Sequence, residues 1–124
     1  MAFEEYLPDL SEYSEAWVES ANFSMRKKEL ENRFEELVSQ VYIDCVSLPE
    51  YMINNKPPAV SFIKETYAKV GHTPEIISEM GLIRAEMVIV EGGLKRATGV
   101  IKIQEMKLSL YQTVSANSRN ITGF

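Results

Sequence analysis

The clearest pattern in the chain is a heptad line in its second half. Stepping alternately by four and three residues from Ile76 gives Met80, Ile83, Met87, Val90, Leu94, Ala97, Ile101, Gln104, Leu108, Tyr111 and Ser115. All twelve positions except Gln104 and Ser115 are apolar, and the register never slips, so the pattern predicts one long helix from about Pro74 to Ser115. Some forty residues at 1.5 Å each make a rod of roughly 60 Å. A competing reading attaches to "EMVIVEGGLKRATGVIKIQEM", where Gly92-Gly93 separates two apolar runs like the turn of a hairpin. A half-buried strand alternates and "MVIV" does not. A fully buried strand also need not alternate, so the hairpin stays open as the alternative.

The first half carries a second helical face. Leu30, Phe34, Leu37, Val41 and Cys45 recur at steps of four and three, and "KKELENRFEE" interleaves opposite charges at helix-neighbour spacing. This helix is expected to begin near "PDLSE", where Asp9 or Ser11 can accept from the free N–H groups of the first turn. Its weak point is "SANFS", where Ser20, Asn22 and Ser24 are able to end one helix and cap another. Residues 46–58, with Pro49, Asn54-Asn55 and Pro57-Pro58, read as a connection. "AVSFIKETYAKV" reads as a short helix stopped by Gly71. "HTPEI" then supplies Thr73 as an N-cap, Pro74 at the first helical position and Glu75 near the positive helix end.

The expected fold is therefore all-α. A single domain places a long C-terminal helix against an N-terminal helix, as a coiled-coil or helical bundle. A heptad line this long needs a cover, from the N-terminal helix or from another subunit, and a flanking line of Val100, Ile103, Leu110 and Val114 adds to the demand. Homo-oligomerisation follows, with Ile83, Met87, Val90, Leu94, Ile101, Leu108 and Tyr111 as the expected seam.

Composition narrows the class without naming an activity. The chain has 124 residues, 45% apolar and 25% charged, ordinary for a globular domain. No apolar run reaches the roughly 18–20 residues of a membrane span, so no membrane association is expected. "MAFEEYLPDL" has no basic start or apolar stretch of a signal peptide. Cys45 is the only cysteine. A reducing, cytoplasmic setting is expected, the host cytoplasm if the protein is viral.

Net charge is −5 but unevenly spread. Residues 1–25 hold Glu4, Glu5, Asp9, Glu12, Glu15 and Glu19 with no base before Arg26. Residues 92–124 hold Lys95, Arg96, Lys102, Lys107 and Arg119 against Glu105 alone. The acidic head also carries Phe3, Tyr6, Tyr13 and Trp17. It reads either as a docked terminal segment or as an arm that presents aromatic anchors to a protein partner.

Candidate chemistry is sparse. His72 is the only histidine and sits at a helix start; without a second histidine or cysteine beside it, packing is the expected role. Cys45 lies on an apolar helix face with no base in view, so packing is expected there too. No catalytic residue, metal ligand or cofactor site is expected. "GLKRATG" has no phosphate-loop pattern. In the helical reading Ala85, Gly92 and Gly99 fall seven residues apart, away from the seam. Each helical glycine costs about 1 kcal/mol relative to alanine, which a close approach from outside would offset. Lys95, Arg96, Lys102 and Lys107 lie nearby, a rim able to neutralise phosphates.

The succession of charged helix, Pro- and Asn-containing connection, short helix and long helix with a polar tail resembles the small helical recombination-mediator proteins of tailed phages. "MRKKELENRFEELVSQVY" and the run from "HTPEIISEM" to "LYQTVSANSR" carry the likeness, which is one of pattern over about two-thirds of the chain. It implies oligomers that bind single-stranded DNA and help load a recombinase. The chain departs from it in being acidic, with only Arg26-Lys27-Lys28 where a richer basic segment is expected.

Two functional expectations result. The first is a non-enzymatic oligomeric accessory protein that handles single-stranded DNA through Arg26, Lys27, Lys28, Lys95, Arg96, Lys102 and Lys107. The second is a helical adaptor or assembly protein acting through protein–protein contacts, including the arm of Phe3, Tyr6, Tyr13 and Trp17.

Overall fold

The computed structural model describes residues 7–122, with side chains through 117. Its elements are α1 (Leu10–Ser47), a 3-10 turn (Pro49–Tyr51), α2 (Val60–Glu65), α3 (Tyr67–Val70) and α4 (Pro74–Thr122). No strand occurs among the described residues, so the fold is all-α. Gly92-Gly93 is helical, which removes the hairpin alternative.

The first turn of each long helix is fixed by a capping contact. Asp9 Oδ1 accepts the N–H of Glu12 at 2.9 Å, as an N-cap to α1. Thr73 Oγ1 accepts the N–H of Ile76 at 3.3 Å at the start of α4. Two boundaries differ from expectation. α1 passes unbroken through Ser20, Asn22 and Ser24, of which Ser20 is half-buried and the other two exposed. α4 continues past Ser115 into the polar tail, to Thr122.

The segment 59–70 forms two short helices where one was expected. Thr66 breaks them apart with φ −112° and ψ −87°, and its hydroxyl donates to the carbonyl of Phe62 at 2.6 Å. Gly71 has φ 100°, and a side-chain carbon there would meet the backbone nitrogen of Ile77 at 2.8 Å. Only glycine can stop α3 this close to α4. Within the connection, Asn54 and Asn55 both have positive φ and close a two-residue turn, with Ile53 and Lys56 exchanging backbone bonds of 2.8 and 3.1 Å.

The chain divides into two compact units. One spans Met25–Val90; the other joins Met1–Ser24 to Glu91–Phe124. In the first, α1 and α4 run antiparallel and the short helices close over them. Its core contains Leu30, Leu37, Val41, Cys45, Ile63, Met80, Ile83 and Val90. Val41, Cys45, Ile63 and Met80 are fully buried, and burying a large aliphatic side chain contributes about 1.5–3 kcal/mol. In the second unit, antiparallel α1 and α4 bury Ala16, Ala97, Ile101 and Gln104, and the ring of Phe23 lies over Gly93.

Among the described residues, no helix is long and apolar enough to cross a membrane.

Candidate functional site

The basic residues singled out from sequence fall in both units. In the unit of residues 25–90, Arg26 is committed to structure. Its Nε and Nη2 donate to the two carboxylate oxygens of Glu86 at 2.6 and 2.8 Å, and Nη1 donates to Glu29 at 3.0 Å. One heptad later the arrangement repeats. Arg33 donates to Glu79 at 2.6 and 2.9 Å and to Glu36 at 3.0 Å. These forked pairs set the antiparallel register of α1 against α4 in this unit. The hydrogen bonds from Arg33 and Arg26 hold the Glu79 and Glu86 carboxyls below the usual range, outweighing partial desolvation. The same bonds raise both arginines still further. Lys27 is half-buried and engaged, whereas Lys28 is exposed.

The sequence reading missed these locks. A signal for them exists: Arg-x-x-Glu occurs at 26–29 and again at 33–36, and Glu79 and Glu86 stand at the same seven-residue interval.

In the other unit, Lys95, Arg96 and Lys102 are exposed on α4 and Lys107 is half-buried. None of the four has an ion pair among the described residues. Lys95 and Lys102 are seven apart and share one helical line. Arg96 and Lys107, eleven apart, share another. Between the two lines run Gly92, Gly99, Ile103, Met106 and Leu110. A side-chain carbon at Gly92 or Gly99 would meet nothing within 4 Å. No contact among the described residues accounts for glycine at these two helical positions. Gly93 is different, since a carbon there would overlap the Phe23 ring. Glu19, Asn22, Phe23, Gly93, Arg96 and Val100 line a cleft of about 460 Å3 along this side of the unit.

The expected seam is largely covered by the chain itself. Ile83, Val90 and Ile101 are buried, and Met87, Leu94 and Tyr111 are half-buried; Leu108 is exposed. Gln104, the polar exception in the line, is buried and used. Its Oε1 accepts the N–H of Asp9 at 2.7 Å, and its Nε2 donates to Glu12 at 3.2 Å. Of the proposed aromatic arm, Tyr13 and Trp17 lie on α1 in an edge-to-face pair 6.3 Å apart, with Trp17 exposed. Phe3 and Tyr6 lie outside the described residues.

His72 and Cys45 occupy the unit of residues 25–90. His72 Nε2 lies 2.8 Å from Asp44 Oδ2, with the imidazole fully buried and Nδ1 without a partner. Tyr51 packs edge-on to the ring at 5.3 Å and donates its hydroxyl to the His72 carbonyl at 3.2 Å. Burial, and then the charge of Asp44, push the Cys45 thiol up, away from the thiolate a nucleophile needs. Among the described residues, no three His, Cys, Asp or Glu side chains are placed to hold a metal ion.

No protein-family model, curated protein or solved structure matches this chain.

Proposed function

We propose that the protein is a non-enzymatic oligomeric accessory factor that holds single-stranded nucleic acid on the outer face of α4. Such a factor acts in the cytoplasm, in the manner of the phage recombination mediators its pattern resembles. The observation that carries this reading is the set of exposed cations Lys95, Arg96 and Lys102, free of ion pairs among the described residues, around two open glycines. Cations without carboxylate partners are available to phosphates, and binding releases the counterions condensed on the nucleic acid. Lys107 extends the row and Lys28 adds a further exposed charge. Arg26 supports register and Lys27 is engaged, so neither is assigned a phosphate. The mechanism is charge neutralisation along a helix with little base reading.

The test is a pair of substitutions, Lys95→Glu and Arg96→Glu. The double variant is expected to lose single-stranded DNA binding at low salt while retaining wild-type helicity and assembly mass. Unchanged DNA affinity in that variant overturns the assignment.

A second reading rests on the exposed Trp17 beside Tyr13. It is an adaptor that binds a protein through an aromatic patch on α1. Loss of partner capture in Trp17→Ala, with DNA binding absent throughout, favours it.

A further inference from the structure

Two apolar surfaces remain, the second of them between Lys102 and Lys107 at the end of the basic row. The first is in the unit of residues 25–90. Phe34, Ile83 and Met87 line a groove of about 310 Å3, with Glu31 and Glu35 on its α1 rim and Arg84 on its α4 rim. Arg84 donates to the carbonyl of Lys69 at 3.0 Å. Glu31 and Glu35 have no ion pair among the described residues. They stand four apart on a helix, where like charges repel, and a cation between them relieves that repulsion.

The second surface is in the other unit. Ile103 and Met106 are 48% and 58% exposed and form a ridge one turn long on α4. Lys102 and Lys107 fall on opposite sides of that ridge by helical spacing. Gly99 precedes the ridge by one turn and leaves open space beside it. An exposed apolar ridge edged by cations has the opposite sign to an apolar groove edged by acids.

We infer that the two surfaces are halves of one contact between copies of this chain. The Ile103–Met106 ridge of one copy enters the Phe34–Ile83–Met87 groove of the next, with Lys102 and Lys107 set against Glu31 and Glu35. The charge signs select the occupant: the groove rim carries two acids against Arg84, the ridge two lysines against Glu105, and the same polypeptide carries both. Each copy offers one ridge and one groove, so two copies can meet through one such contact or through both. This deepens the oligomeric part of the proposed function and rests on it. It keeps Ile83 and Met87 of the heptad line in the interface and sets Ile103 and Met106, which lie off that line, against them.

The experiment uses two double variants of the full chain, changed at exposed positions: Ile103→Ser with Met106→Ser, and Glu31→Lys with Glu35→Lys. Mass is read by light scattering and helicity by circular dichroism. Wild type is expected at two copies or more, each variant alone at one copy with wild-type helicity, and their equimolar mixture at two copies and no more. A wild type of single-copy mass, variants as large as wild type, or a mixture that stays apart overturns the inference. Single-stranded DNA binding is measured on the same samples. A wild type that assembles and binds no DNA sinks the nucleic-acid reading alone. One that binds DNA as a single copy sinks the docking contact alone.

Discussion

Gly93 lies against the ring of Phe23, while Gly92, its neighbour in sequence, faces open space. The pair separates a glycine required by packing from one that nothing among the described residues requires. Gly93→Ala must displace the aromatic ring, and overpacking of this kind costs about 1–3 kcal/mol. Gly92→Ala and Gly99→Ala meet no atom and gain up to about 1 kcal/mol of helix propensity. Urea denaturation of the three variants is expected to show the midpoint falling for Gly93→Ala and rising for the other two.

Gln104 links α4 to the first turn of α1. Gln104→Leu completes the heptad pattern but removes the acceptor of the Asp9 N–H and the donor to Glu12. Hydrogen exchange is expected to quicken at the first turn of α1 and stay slow around Leu30 and Val41. Unchanged protection of that turn would show that Gln104 is not its clamp.

The forked arginine pairs make stability pH-dependent. Glu79 and Glu86 have folded-state pKa values depressed by hydrogen bonds from Arg33 and Arg26. Their contribution is therefore complete above the ordinary carboxylate value of 4.5 and is lost as pH falls through the lower folded value. The pairs are solvent-exposed, so added salt weakens them. Thermal midpoints of wild type are expected to drop on acidification below pH 4.5. In the Glu79→Gln, Glu86→Gln double variant that part of the slope is expected to vanish.

Asp44 is the polar partner of a fully buried imidazole. Asp44→Ala leaves His72 without any side-chain hydrogen bond, a loss of about 1–3 kcal/mol. Replacing His72 and Asp44 together by apolar residues is expected to recover part of that loss, since no orphaned polar group then remains. A double variant as unstable as the sum of the single variants would contradict this account of the pair.

Much of the helical architecture was legible because it depends on periodicity and caps. The line from Ile76 through Ile101 specified α4 across its glycines, and Thr73-Pro74 marked its start. Contacts of distant residues were not legible. Arg26 reads as a free cation until Glu86 is placed opposite it, and Gln104 reads as a flaw in the seam until Asp9 and Glu12 arrive. The break at Thr66 lies in its backbone, with φ −112° and ψ −87°, which no spacing rule foretells. For the candidate interface, sequence supplied the cations and the seven-residue glycine spacing. The structure supplied which cations are spent on ion pairs and which glycines stand open.

The most direct measurement is the salt dependence of single-stranded DNA binding by the wild-type chain. The account predicts measurable affinity at low salt and a log–log decline with salt set by the few phosphates that Lys95, Arg96 and their neighbours contact, about 0.7 per contact. Binding that is absent at low salt, or that does not change as salt rises, would contradict it.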